Sequence, residues 1–205
     1  MKINLSHAGK RYNREWIFRN ATIEFLSGTS YAITGPNGSG KSTLLQSVGG
    51  MLQLSEGSVS FSNNNQAVAA EHLYQNISFS APYLDVIEEM TLVEFFSFHF
   101  KFKKYLAGLH QQKIIEILGL SNAAQKQIRY YSSGMKQRVR LGQAILSDTP
   151  VVLLDEPCSN LDEKGIELYH SLIQNFCAGR LVIVSSNDEV EYSFCKERIA
   201  VTDFK

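Results

Sequence analysis

The stretch Ser30-Tyr31-Ala32-Ile33-Thr34-Gly35-Pro36-Asn37-Gly38-Ser39-Gly40-Lys41-Ser42-Thr43 decides how the rest of the chain is read. Residues 30–34 are a short apolar run ending at a glycine, the pattern of a buried strand. A Gly-x4-Gly-Lys-Ser spacing follows at once. A helical pattern then runs from Lys41 to about Val48, where Gly49-Gly50 stops it. Gly35, Gly38 and Gly40 let the backbone turn tightly and aim its N–H groups inward. The helix start adds its positive end. A loop so built cradles the phosphates of a nucleotide, with Lys41 reaching the β- and γ-phosphates and the Ser42 hydroxyl ligating Mg²⁺. Pro36, Asn37, Ser39 and Thr43 belong to the same binding segment.

Outward from this loop, the first 34 residues look β-rich, with alternation over residues 22–25. Strands are expected at residues 57–61 and 76–80, and Asn63-Asn64-Asn65 reads as a hairpin or loop tip. Residues 82–147 change character. They are helical in pattern, with Ile114, Ile115, Ile117 and Leu118 on one face and Gly119 as the stop. The run Phe95, Phe96, Phe98, Phe100 and Phe102 has strand-like alternation inside helix-like flanks, and both readings stand at this level. After Pro150 the β/α pattern returns. A strand is expected over Val151–Asp155, a helix over Glu163–Phe176 and a strand over Leu181–Ser185, followed by a final helix and a short strand near residues 199–201. Strands alternating with helices predict a parallel sheet. The fold class is therefore α/β: a phosphate-loop core with a parallel sheet, an N-terminal antiparallel β subdomain and an inserted α-helical subdomain. Residues 1–81 and 148–205 form the core and β parts of one domain, and residues 82–147 the helical part.

The run Val151-Val152-Leu153-Leu154-Asp155-Glu156 is a second chemical element. A buried parallel strand reads as a continuous apolar run, and ligand-binding groups sit at its carboxyl end. Asp155 would hold Mg²⁺, directly or through water, and Glu156 would act as general base on an attacking water.

Composition narrows the partners. Lys plus Arg and Asp plus Glu number 20 each, and that balance gives no support to nucleic-acid binding. The longest apolar runs are four residues, against the roughly 20 that a membrane-spanning helix needs. The N-terminus has no apolar signal core. A cytoplasmic protein is expected, with any membrane role supplied by other chains. Cys158, Cys177 and Cys195 lack metal-ligand spacing and read as reduced core or surface residues.

These motifs together resemble the nucleotide-binding subunit of ATP-binding cassette (ABC) transporters, over nearly the whole chain. Residues 35–43 resemble the Walker A motif and residues 151–156 the Walker B motif. Tyr131-Ser132-Ser133-Gly134-Met135 resembles the family signature, usually Leu-Ser-Gly-Gly-Gln, keeping Ser132 and Gly134 and departing at three positions. Ser159-Asn160-Leu161-Asp162 resembles the D loop. Tyr12 lies where the family stacks an aromatic ring on adenine, with Trp16 in reserve. The Ser132 hydroxyl, the Gly134 N–H and the helix start behind them make a second anion-binding tip. In the resembled family this tip closes on the ATP of a second nucleotide-binding subunit.

Two further positions depart from the family. Its glutamine near the metal falls at Pro82, which offers neither a side-chain polar atom nor an N–H. Its γ-phosphate histidine falls at Asn187, which can donate a hydrogen bond but carries no charge. The resemblance implies an ATPase subunit, with ATP and Mg²⁺, acting on separate transmembrane permease subunits at the cytoplasmic face of the membrane. The altered positions imply slow hydrolysis. Two other readings remain: a soluble ATPase of the same fold acting on a protein or RNA assembly, and a small-molecule kinase, which would lack the 132–134 element. The phenylalanine-rich stretch reads either as packing of the helical subdomain's own core or as part of a docking surface for the membrane subunits.

Overall fold

The computed structural model describes residues 1–64 and 66–205. Nine strands and seven α-helices are described: β1 (Lys2–Tyr12), β2 (Glu15–Leu26), β3 (Ser30–Thr34), α1 (Lys41–Val48), β4 (Glu56–Asn63), β5 (Gln66–Ala67), α2 (Leu73–Asn76), β6 (Ile77–Ser80), α3 (Leu92–His99), α4 (Gln111–Ile117), α5 (Ser133–Ile145), β7 (Val151–Asp155), α6 (Glu163–Phe176), β8 (Leu181–Ser185), α7 (Glu189–Tyr192) and β9 (Glu197–Ala200). They form an antiparallel sheet of order β2-β1-β4-β5 and an all-parallel sheet of order β6-β7-β8-β3-β9.

Strand pleating sorts the core into two layers. Side chains alternate between faces with a period of two. Ile33, Val151, Leu153, Leu181 and Ile183 join a cluster with α1 and the antiparallel sheet. Ala32, Val152, Leu154, Val182 and Val184 join the cluster built by α3, α4, α5 and α6. Strands β7 and β8 are buried at every residue, so no polar alternation marks them in the sequence.

The phenylalanine run is helical. Thr91 and Glu94 form a reciprocal capping box, the Thr91 side chain accepting from the Glu94 N–H at 3.2 Å and the Glu94 carboxylate accepting from the Thr91 N–H at 2.8 Å. That pairing fixes the start of α3 and overrides the apparent alternation. Phe95 and Phe96 are buried, and Phe100 caps the helix and packs on Phe96 and Tyr105. Phe98 and Phe102 are exposed and meet edge to face.

Several boundaries move. The alternating residues 22–25 belong to the longer β2, and the strand expected at 57–61 extends over Glu56–Asn63. Asn76 ends α2 rather than opening β6, because its amide donates to the His72 carbonyl one turn back. Val201 lies beyond β9 in a 3₁₀ turn. Ile114 and Ile115 are buried as expected, whereas Ile117 is half-buried at the end of α4. Gly119, at φ 67°, follows as the stop. Asn63 ends β4 and Asn64 turns with φ 48°; Asn65 lies outside the described residues. Among the described residues, no helix is long and apolar enough to cross a membrane.

Candidate functional site

The carboxyl ends of four parallel-sheet segments gather polar groups that find no partner among the described residues. They are Ser39 Oγ in the loop after β3, Ser80 Oγ ending β6, Asp155 Oδ1 ending β7 and Ser185 Oγ ending β8. Burying such an atom without a hydrogen bond costs on the order of 1–3 kcal/mol. Four together at the ligand-binding edge of an α/β sheet mark a place built to receive polar groups from outside the chain.

The loop from Gly35 to Thr43 forms one wall. Gly35 (φ 148°) has so little room that a Cβ would fall 2.7 Å from Ser39 Oγ. Gly40 (φ 102°) is the N-cap of α1, and a Cβ there would meet Ile17 Cγ2 at 2.3 Å. The side chain of Ile17, on β2, thus closes over the loop. Lys41 is buried and its ammonium donates to the Gly35 and Pro36 carbonyls at 3.0 and 3.2 Å. A cleft of about 260 Å³ opens here, lined by Ile17, Asn37, Gly38, Gly40, Lys41, Ser42, Thr43 and Glu156. The structure therefore brings Glu156 to the loop although 113 positions separate it from Thr43 in the chain.

Glu156 adopts φ 41°, unusual for a side-chain-bearing residue, and its N–H donates to the Ser185 carbonyl at 2.9 Å. The left-handed turn carries its carboxylate into the cleft. Ser159 Oγ donates to that carboxylate at 3.4 Å. Asn187 does not line the cleft that holds Lys41. It is exposed beside it, lining a second cavity of about 380 Å³ that shares Asn37 and Glu156 with the first.

The tip at Ser132 is built as a capped helix. Ser132 Oγ accepts from the Met135 N–H at 3.2 Å and α5 begins at Ser133. With Ser133, Gly134, Asn160 and Asp162 it lines a cleft of about 410 Å³ that shares no lining residue with the Lys41 cleft. Asp162 caps α6 by accepting from the Gly165 N–H, which holds its carboxyl below the usual range, and Arg138 pairs with it at 3.2 Å.

Tyr12 ends β1 and is exposed, with the Lys10 ammonium 5.1 Å from its ring centre. Trp16 already has two guanidinium groups against its ring, Arg11 at 5.5 Å and Arg19 at 4.6 Å. Neither ring lines the Lys41 cleft.

The sequence reading missed four residues. Tyr83, just after Pro82, donates to Asp155 Oδ2 at 2.9 Å, and Gln46 Nε2 donates to the Tyr83 hydroxyl at 2.8 Å. Burial and the neighbouring carboxylate push the Tyr83 phenol well up. Gln137, fully buried on α5, donates to the Pro157 carbonyl at 2.8 Å. Glu191 accepts from the Cys158 N–H at 2.6 Å; burial raises its carboxyl, and the Cys158 thiol is pushed up to about 12 by burial and by Glu191. The three cysteines are free, with Cys158 and Cys177 buried and Cys195 half-buried.

A parallel sheet with a glycine-rich loop after one strand and an acidic pair after another defines a P-loop nucleotide-binding protein. The family model described as "ABC transporter" matches residues 18–159, and the chain belongs to that family as an ABC nucleotide-binding subunit. It is 31% identical over 192 residues to the uncharacterized ABC transporter ATP-binding protein YybJ of Bacillus subtilis, covering 90% of this chain and 85% of the relative. It is 28% identical to the cytochrome c biogenesis ATP-binding export protein CcmA of Haemophilus influenzae, covering 94% and 92%. Two other Bacillus subtilis relatives are longer, and the chain spans 66% and 59% of them. Among solved structures, the ATP-binding cassette MJ0796, a dimer in a post-hydrolysis state with ADP and Pi, superposes with a TM-score of 0.80 at 25% identity, covering 97% of this chain and 93% of that one. The chain is thus an ATP-binding protein of an ATPase family.

Proposed function

We propose that the chain is the ATP-hydrolysing subunit of a multi-chain ABC transporter, working through ATP-dependent closure of two such subunits beneath separate transmembrane permease subunits. The observation that carries this reading is the set of buried polar atoms at the sheet edge without a partner among the described residues, with Lys41 and Glu156 in one cleft. Of these atoms, Asp155 Oδ1 fits a hard cation, which prefers oxygen ligands. Ser42 and Asp155 would hold Mg²⁺, which when bound neutralises phosphate charge.

Gly35, Pro36, Asn37, Gly38, Ser39, Gly40 and Thr43 wrap the phosphates, chiefly through backbone N–H groups, and Lys41 supplies a cation to the β- and γ-phosphates. Glu156 takes a proton from the attacking water, and Asn187 donates to a γ-phosphate oxygen. Tyr12 stacks on adenine; its ring is exposed and has the Lys10 ammonium beside it, whereas two guanidinium groups lie against Trp16. Ser132, Ser133 and Gly134 face the ATP of a second nucleotide-binding subunit. Support for that pairing comes from the separate lining of the two clefts and from the dimeric state of MJ0796. The CcmA likeness supports a transport role. A place on the cytoplasmic face of the membrane follows from that role, and the even charge balance gives no reason to add a nucleic-acid partner.

Pro82 and the uncharged Asn187 make hydrolysis slow in the isolated subunit. Phosphate release measured at saturating Mg·ATP tests this: turnover well above the typical enzyme median of about 10 s⁻¹ overturns it. Co-purification tests the transporter assignment. A polytopic membrane protein should come down with the tagged chain, whereas a soluble protein or RNA assembly in its place would reject transport.

A further inference from the structure

Tyr83 stands outside every role given above, yet it makes the one hydrogen bond described for the Asp155 carboxylate. Asp155 is almost wholly buried, with Oδ2 accepting from the Tyr83 hydroxyl and Oδ1 without a partner among the described residues. A phenol has a single proton. By donating to the Tyr83 oxygen at 2.8 Å, Gln46 Nε2 leaves that proton aimed at the carboxylate. Gln46 lies one turn after Ser42 on α1, so the two share a helix face. The segment that carries Tyr83 is strapped to α5: Arg140 Nε donates to the Leu84 carbonyl at 2.6 Å, and Lys136 pairs with Glu88.

We propose that Tyr83 is the positioning residue for Asp155, holding Oδ2 so that Oδ1 is presented to the divalent cation, and thereby tying the metal end of the site to the 82–90 segment and the α5 helix. This chain would use a tyrosine hydroxyl, held by Gln46, next to the proline that stands where its family places a glutamine. The inference rests on the reading of Asp155 and Ser42 as the cation's ligands.

The test uses the full chain and two binding measurements that do not need turnover. ATP affinity is measured in EDTA, and Mn²⁺ binding at fixed ATP is followed by the EPR signal of free Mn²⁺. Tyr83→Phe keeps the ring and removes the hydroxyl. Metal-free ATP affinity should stay within about twofold, while half-saturating Mn²⁺ should rise about tenfold, the size of one lost hydrogen bond to a charged group. Gln46→Ala should raise it less, and the double variant should rise no further than Tyr83→Phe alone, because both act through one hydroxyl. A role in packing alone would lower the melting temperature and leave half-saturating Mn²⁺ where it was. An unchanged Mn²⁺ requirement in a folded Tyr83→Phe variant overturns the proposal. Should that variant not fold, an unchanged requirement in Gln46→Ala overturns it instead. Asp155→Asn separates the two levels. If it too binds Mn²⁺ normally, the ligand reading has failed. If it loses Mn²⁺ while Tyr83→Phe does not, only the role of Tyr83 has failed.

Discussion

Glu156 and Gly40 show how single residues shape the site. At Glu156 the left-handed turn (φ 41°) is held by its own N–H bond to Ser185 and, two residues on, by the Glu191 carboxylate on the Cys158 N–H. A residue held off its preferred backbone region costs on the order of 1–3 kcal/mol, and here that strain aims the proposed base into the cleft. Glu156→Gln keeps the shape and removes the proton acceptor. It should abolish phosphate release while ATP still binds, and an unchanged rate would remove Glu156 from the base role. At Gly40 the constraint is space. Alanine there needs both φ 102° and a methyl 2.3 Å from Ile17 Cγ2. Gly40→Ala should weaken ATP binding at least about tenfold, since the left-handed penalty alone is about 1–2 kcal/mol before any displacement of Ile17. Equilibrium binding of a fluorescent ATP analogue measures it, and Ile17→Ala in the same background should recover part of the loss.

Elements differ in how far the sequence reveals them, and the reason is local. The bounds of β3, α1, β7, α6 and β8 are legible because apolar runs end at a glycine, an acidic pair or a capping aspartate. Lys41, Ser42, Asp155 and Glu156 could be picked out because the chemistry sits beside those signals. Tyr83, Gln46, Gln137 and Glu191 could not, because each acts through a hydrogen bond to a residue 33 to 72 positions away, or 20 in the case of Gln137. No spacing rule reaches that far. The same holds within α3, whose His99 is half-buried against Phe95, Phe100 and Ser147. Burial, with Lys103 nearby, lowers its pKa to about 4 from 6.5. Unfolded chains then take up a proton below pH 6.5 that the folded chain refuses until about 4. Folding stability from this group is therefore complete above 6.5 and is lost as pH falls toward 4, by up to about 3 kcal/mol. His99→Leu should flatten that part of the acid limb in urea unfolding measured from pH 7 to 4. A slope equal to the wild type's would mean that His99 is protonated in the folded chain.

On the reading proposed above, the whole molecule carries two phosphate-facing tips, and each serves a different nucleotide. The Lys41 cleft and the Ser132 cleft have no lining residue in common, though both draw on the loop between β7 and α6, one through Glu156 and the other through Asn160 and Asp162. A helix N-terminus attracts anions, so in that reading the start of α5 at Ser132 takes a phosphate of the ATP held by a second nucleotide-binding subunit. Ser133→Glu is the change that isolates this contact. A carboxylate in the first turn suits the α5 dipole, so the fold should be kept or slightly strengthened, yet it repels an incoming phosphate. In the Glu156→Gln background, Mg·ATP should drive the chain to a dimer in analytical ultracentrifugation. Adding Ser133→Glu should return it to monomer with ATP affinity within about twofold, because the Lys41 cleft is untouched, and one unit of like-charge repulsion at contact distance is worth a few kcal/mol. If the double variant still dimerises, the Ser132 tip is not the closing contact. If it loses ATP altogether, the two clefts act on one nucleotide within one chain, and the shared-site reading falls with them.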